Sequence, residues 1–164
     1  MTDFVFNEKV TDAIKDTVSA ALGSAAAQGY GDNDIGKPVV MGSANNYVIA
    51  GDGVPIEGFI NAIEPDTVNQ GFAFGSVQRA GRKIVEVAAT YTVTLGGYVL
   101  AAAQSAAGVA STGANALPKV RPAVATAAAD DGASLTNAGL YAWRVIRLID
   151  GVGTAGAKVL IERV

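Results

Sequence analysis

The chain contains no histidine and no cysteine among its 164 residues, and one tryptophan. Histidine is the one side chain whose unperturbed titration falls near neutral pH. Cysteine is the strongest unassisted nucleophile at that pH. Without either, Ser-His-Asp and Cys-His nucleophile systems, the usual zinc ligand sets and all disulfides are excluded. Charge is scarce, at 16% of residues. No apolar run reaches the roughly 18 residues of a membrane-spanning helix. The opening MTDFVFNEKV places Asp3 and Glu8 where a secretory signal would be basic. The net charge of −3 offers no general positive field for phosphate. These absences predict a chain that is not an enzyme, needs no cofactor or metal, and binds neither nucleic acid nor membrane.

What is abundant is small and apolar. Half of the residues are hydrophobic, 20 are glycine, and the mean hydropathy is +0.31. A chain this apolar with no membrane span is expected to bury surface against partners, including copies of itself as a dimer or trimer.

Two regions are expected. Residues 1–35 read as an N-terminal arm, helical or extended. Val10, Ile14, Val18 and Leu22 recur every four residues, which predicts a short amphipathic helix. Asn7 is its N-cap and Gly23 its stop. The turn-rich GYGDNDI (29–35) links it to the remainder. Packing of this helix on its own domain or on a neighbour stays open.

Residues 36–164 have the texture of a mainly β domain, a β-barrel or β-sandwich. Strands are predicted at 38–41, 46–50, 55–62, 72–78, 83–87, 91–94, 98–101, 143–150 and 158–164. Between them an Ala/Gly-rich excursion spans 102–139, in which Pro118 and Pro122 forbid a regular helix. Leu117, Val120, Arg121 and Val124 are its candidate contact residues, joined by Val10, Ile14, Val18 and Leu22 of the arm. The alternative is that Leu117 and Val120 fill the domain's own core. Asn46-Tyr-Val-Ile-Ala50 resembles Gly97-Tyr-Val-Leu-Ala101, and Gly81–Val87 resembles Gly156–Glu162, a faint internal echo.

Chemical motifs fail on spacing. Gly151-Val-Gly-Thr-Ala-Gly156 matches GxGxxG, but a strand follows it and no crossover helix fits. Asp32-Asn-Asp34 opens like a calcium loop, yet its twelfth position is Ser43 instead of glutamate. Neither the Glu57, Glu64 and Asp66 group nor Glu86 with Glu162 has a spacing that aligns them on one pocket. Trp143, followed by Arg144 and Arg147, reads as core or as an interface anchor.

Taken together, several stretches resemble the head decoration, or capsid cement, proteins of tailed bacteriophages. They are Gly36-Lys-Pro-Val-Val40, Tyr47-Val-Ile-Ala-Gly-Asp52, the strand around Gly58-Phe-Ile60, the Ala/Gly-rich middle, and the closing pair Trp143–Leu148 and Val159–Ile161. The resemblance implies a small β protein bound to the outer surface of a virion capsid. Its partner would be the major capsid protein, and its role would be to bridge capsomers. A head fibre, tail or baseplate domain is the first alternative. A carbohydrate-binding or carbohydrate-processing β-domain is the second.

Overall fold

Runs of Val, Ile, Phe and Tyr set off by glycine turns form ten strands among the described residues. The computed structural model describes residues 16–23, 29–64, 73–112, 115–123 and 143–164, with backbone alone for 16 and 17. The strands are β1 (Asp16–Leu22), β2 (Pro38–Met41), β3 (Tyr47–Ile49), β4 (Gly58–Ile63), β5 (Ala73–Ala80), β6 (Arg82–Val87), β7 (Tyr98–Ala101), β8 (Lys119–Pro122), β9 (Trp143–Leu148) and β10 (Lys158–Arg163). A single 3-10 turn, Asp32–Asp34, is the one helical element among the described residues. The strands close into two barrels of five, in neighbour order β1-β3-β2-β4-β5 and β6-β8-β7-β9-β10. The mainly β barrel expected from the sequence is what forms.

The second barrel repeats the first strand for strand. Each contains one parallel pair, made at Leu22↔Tyr47 in the first barrel and through Val87↔Val120 in the second. Each enters its second strand through a positive-φ glycine, Gly36 at 93° and Gly96 at 81°. Those amides bond the fourth strand at Ile60 O (2.7 Å) and Val145 O (2.8 Å). Each fourth strand bulges at the same place. Asn61 is the extra residue between Ile60↔Val77 and Ala62↔Ser76, and Ile146 is the extra residue between Val145↔Ile161 and Arg147↔Leu160. A shared bulge in a shared register marks a tandem repeat. The identities that survive include Gly36/Gly96, Val39/Val99, Ala73/Ala157 and Arg79/Arg163. The echo seen in the sequence is a different pairing: it matches β3 with β7 and β6 with β10, which are not equivalent strands.

The barrels fill their interiors differently. Leu22, Val39, Tyr47, Ile60 and Val77 pack inside the first. Val85, Val87, Val99, Val120, Trp143, Val145, Val159 and Ile161 pack inside the second. Where the second has Trp143 the first has Gly58, whose Cβ would lie 2.6 Å from a Val77 methyl. Where the second has Val120 the first has Tyr47. One bulky residue per barrel satisfies close packing at a different position in each.

The short helix expected within residues 7–28 does not form where the chain is described. Asp16–Leu22 is a strand that pairs with β5 from Asp16↔Ala80 to Leu22↔Ala73. The misreading has a simple cause. A four-residue spacing is one helical turn but also twice the strand period, so Val18 and Leu22 fit both. Ala20 completes the alternation, and Val18, Ala20 and Leu22 all pack in the first core. The expected strand at 91–94 reduces to one bridge, Thr92↔Thr154. Conversely, Lys119–Pro122 lies in the predicted excursion yet forms β8, between β6 and β7.

Gly75 is held by space and not by dihedral freedom. A Cβ there would lie 2.2 Å from the carbonyl oxygen of Ala62, beside the bulge. Gly75→Ala is expected to cost about 1–3 kcal/mol in urea unfolding. Gly51→Ala meets nothing nearer than a Val54 methyl at 3.7 Å and should leave the midpoint unchanged.

Candidate functional site

The two barrels are joined by the loop between β3 and β4. Gly53 N donates to Ala101 O (2.9 Å) and Ala101 N to Val54 O (3.0 Å), extending β7 across the junction. Ala50, Ile56 and Phe59 belong to the second barrel's core although they come from the first repeat. Phe59 meets Trp143 edge to face, with ring centroids 4.9 Å apart. Glu57 faces the first barrel, where its carboxylate accepts from Tyr47 Oη (3.0 Å) and Met41 N (3.0 Å) and lies 3.6 Å from Arg79. Arg163, the equivalent of Arg79, donates to the carbonyls of Glu57 and Arg79. An apolar plug on one side and a polar seal on the other fix the junction.

A second connection is a buried ion pair. Lys37 and Asp34 have fully buried side chains, with Nζ 2.7 Å from Oδ1. The same ammonium donates to the carbonyls of Ser105 (3.2 Å), Ala106 (2.9 Å) and Val109 (2.7 Å). Asp34 Oδ2 accepts from Gly31 N (2.9 Å) and Gly108 N (2.8 Å). The segment after β7 is thereby strapped to the turn before β2. The Asp34 carboxylate is thus engaged by one ammonium and two amides.

Tyr30 lies beside the strap and donates no charge to it. Burial pushes its phenol above the ordinary 10.0; the hydrogen bond with Ile49 N acts the other way, and the Asp34 carboxylate adds to the rise. The neutral phenol is therefore favoured by the fold. Its contribution is complete below pH 10 and is lost as pH climbs through the raised value. Stability should fall on that alkaline limb, and Tyr30→Phe should flatten it in a pH series of urea midpoints.

The sequence-selected residues are dispersed. Leu22 (3% exposed) and Val120 (0%) face barrel interiors, so neither is a contact anchor. Val18 packs against the first core. Arg121 bridges the repeats instead of reaching outward: Nη1 is 3.0 Å from Asp52, and the guanidinium lies 5.0 Å from the Tyr91 ring. Leu117 is half-buried and lines a recess of about 140 Å³ with Gln104 and Lys119. Val10, Ile14 and Val124 lie outside the described residues. Glu57, Glu86 and Glu162 do not converge: Glu86 accepts from Asn115 N and Glu162 pairs with Arg82, while Glu57 serves the junction; Asp66 lies outside the described residues. The Gly151–Gly156 stretch is the turn between β9 and β10. An open groove of about 450 Å³ runs between Tyr30, Val48–Asp52 and Ala103–Ala107.

A surface that sequence reasoning missed lies on the second barrel. Leu95 (65% exposed), Val152 (50%) and Tyr98 (47%) are among its most exposed apolar side chains. Their backbone segments adjoin: Leu95 lies in the turn closed by Gly97 N to Thr94 O, which leads into Tyr98. Val152 adjoins Gly153, whose carbonyl accepts from Val93 N. Arg144 stands opposite Tyr98 in the β7–β9 register. Its guanidinium has no ion-pair partner among the described residues. The signal that could have found it is the turn sequence Thr94-Leu-Gly-Gly97, an exposed leucine just before a mandatory turn.

Charge separates the repeats. Among the described residues the cations of the first barrel are Lys37, buried, and Arg79, held against Glu57. Among the described residues from Arg82 onward, eight Lys and Arg stand against Glu86, Asp150 and Glu162. The acidic overall balance thus conceals a basic second barrel. No family model, curated protein or solved structure matches this chain in the comparisons with known proteins.

Proposed function

We propose that the protein is a structural, non-catalytic decoration protein that binds the outer surface of a phage capsid and bridges capsomers. The observation that carries this reading is the fusion of two equivalent closed barrels through one shared core, Ile56 and Phe59 against Trp143. Closed barrels leave no open sheet edge for uncontrolled strand addition. A cement must transmit load without deforming, and a plugged, strapped pair of barrels suits that demand. The resemblance of Gly36–Val40, Tyr47–Asp52 and Trp143–Leu148 to such proteins supports the same role. The strap built on Asp34 and Lys37 suits a rigid clamp as well.

Co-sedimentation tests the proposal. Purified protein mixed with heads of the phage that encodes it, stripped of their own copy, should pellet with them at saturating, near-stoichiometric ratios to capsomers. Failure to pellet, or saturation at a few copies per particle, would rule the decoration role out.

A further inference from the structure

We propose that the second barrel is the half that docks, and that its partner is an acidic protein surface with an apolar centre. The inference rests on the decoration reading and names the face used. Leu95, Tyr98 and Val152 form the apolar centre, and Arg144 supplies the charge beside it. Tyrosine and arginine are the residues most enriched where interfaces concentrate their binding energy.

Charge complementarity selects the occupant. The first barrel also exposes apolar side chains, Ile35, Met41 and Phe74. It offers no unpaired cation among its described residues, since Lys37 and Arg79 are both engaged. In the second barrel Arg144 and the ammonium of Lys119 have no ion-pair partner among the described residues. A basic barrel joined to an acidic one is drawn to an acidic surface in one orientation, which speeds and directs encounter. Side chains must make the contact, because both sheets are closed.

The repeat strengthens the point. Leu95 is the register equivalent of Ile35, so both repeats carry an exposed aliphatic before the turn glycine. Opposite Pro38 and Tyr98, two residues beyond Gly36 and Gly96, the repeats diverge in chemistry: Phe59 of the first is spent on the junction, while its equivalent Arg144 remains outward. One copy of this face is therefore altered for holding the two barrels together and the other is left for a partner.

The test uses the full chain, the stripped heads described above and four proteins: wild type, Arg144→Glu, Tyr98→Ala, and Asp32→Lys on the first barrel. Melting curves confirm that each is folded, and light scattering gives the oligomeric state. Arg144→Glu and Tyr98→Ala should each weaken head binding at least about tenfold, and Asp32→Lys should not. Wild-type affinity should also fall between about 50 and 300 mM salt, and Arg144→Glu should blunt that fall. If wild type binds heads but only Asp32→Lys weakens binding, the docking assignment is overturned while the decoration role stands. If Arg144→Glu changes self-association and leaves head binding intact, the face joins copies of the chain and the assignment is likewise overturned. If wild type does not bind heads at all, both readings fail.

Discussion

Trp143→Ala should be the most damaging single substitution in the chain, costing about 3–5 kcal/mol. The side chain is fully buried and lies among residues of both repeats. Its removal empties the second barrel and takes away the ring that Phe59 packs against. Part of the cost is therefore at the junction. Phe59→Ala should lose a similar amount, and the double variant should lose less than the sum by about 0.5–1.5 kcal/mol. Trp143→Phe should be far milder. The indole Nε1 is buried without a hydrogen-bond partner among the described residues, so phenylalanine gives up no bond seen there and removes an unsatisfied donor. Urea unfolding of the four proteins checks the set. Full additivity of the two alanine variants would show that the barrels do not share a core.

Lys37→Met is the second large effect. It leaves the Asp34 carboxylate buried without its cation and frees three carbonyls that the ammonium holds. Breaking one side of a buried pair costs about 3–5 kcal/mol. The loss should be local in its first expression. Amide exchange should speed up across 105–109, whose carbonyls the lysine gathers, before the barrel strands respond. Replacing both partners, Asp34→Asn with Lys37→Met, should recover part of the stability, because the uncompensated charge is gone. Slower or unchanged exchange at 105–109 in Lys37→Met would show that the strap is held by packing alone.

How much of this was legible in the sequence depends on the kind of signal. Strands such as Pro38–Met41 and Tyr98–Ala101 are short apolar runs bounded by glycine turns, and the turns locate them to the residue. β1 was hidden by an accident of period, since Val18 and Leu22 suit a helix as well as a strand. β8 was hidden by its prolines. Pro122 is tolerable there because it falls where the equivalent Ile49 needs an outside partner, the Tyr30 hydroxyl, for its amide. The repeat itself was invisible. Equivalent positions hold Gly58 and Trp143, or Tyr47 and Val120, because each barrel balances its volume in its own way. Register and bulge position carry the kinship where residue identity does not.

The site was less legible than the fold. Leu22 and Val120 were chosen for apolarity, yet apolarity alone does not separate an interior position from a contact. Arg121 was chosen as a cation available to a partner, but Asp52 is brought to it by a loop of the other repeat and Tyr91 by the loop between β6 and β7. Such long-range pairings have no local signature. The exposed cluster of Leu95, Tyr98 and Val152 draws on two turns that are distant in sequence and adjacent only after β7, β9 and β10 pair.

The proposed decoration role is tested most directly by electron cryo-microscopy of filled heads from a phage whose genome carries this sequence. The account predicts a two-lobed density, one lobe for each closed barrel, repeated in many symmetric copies over the outer shell. The lobe bearing Leu95, Tyr98 and Arg144 should touch the capsid, and the other should project outward. Absence of the protein from the shell, or its confinement to a single vertex or to the tail, would contradict the account.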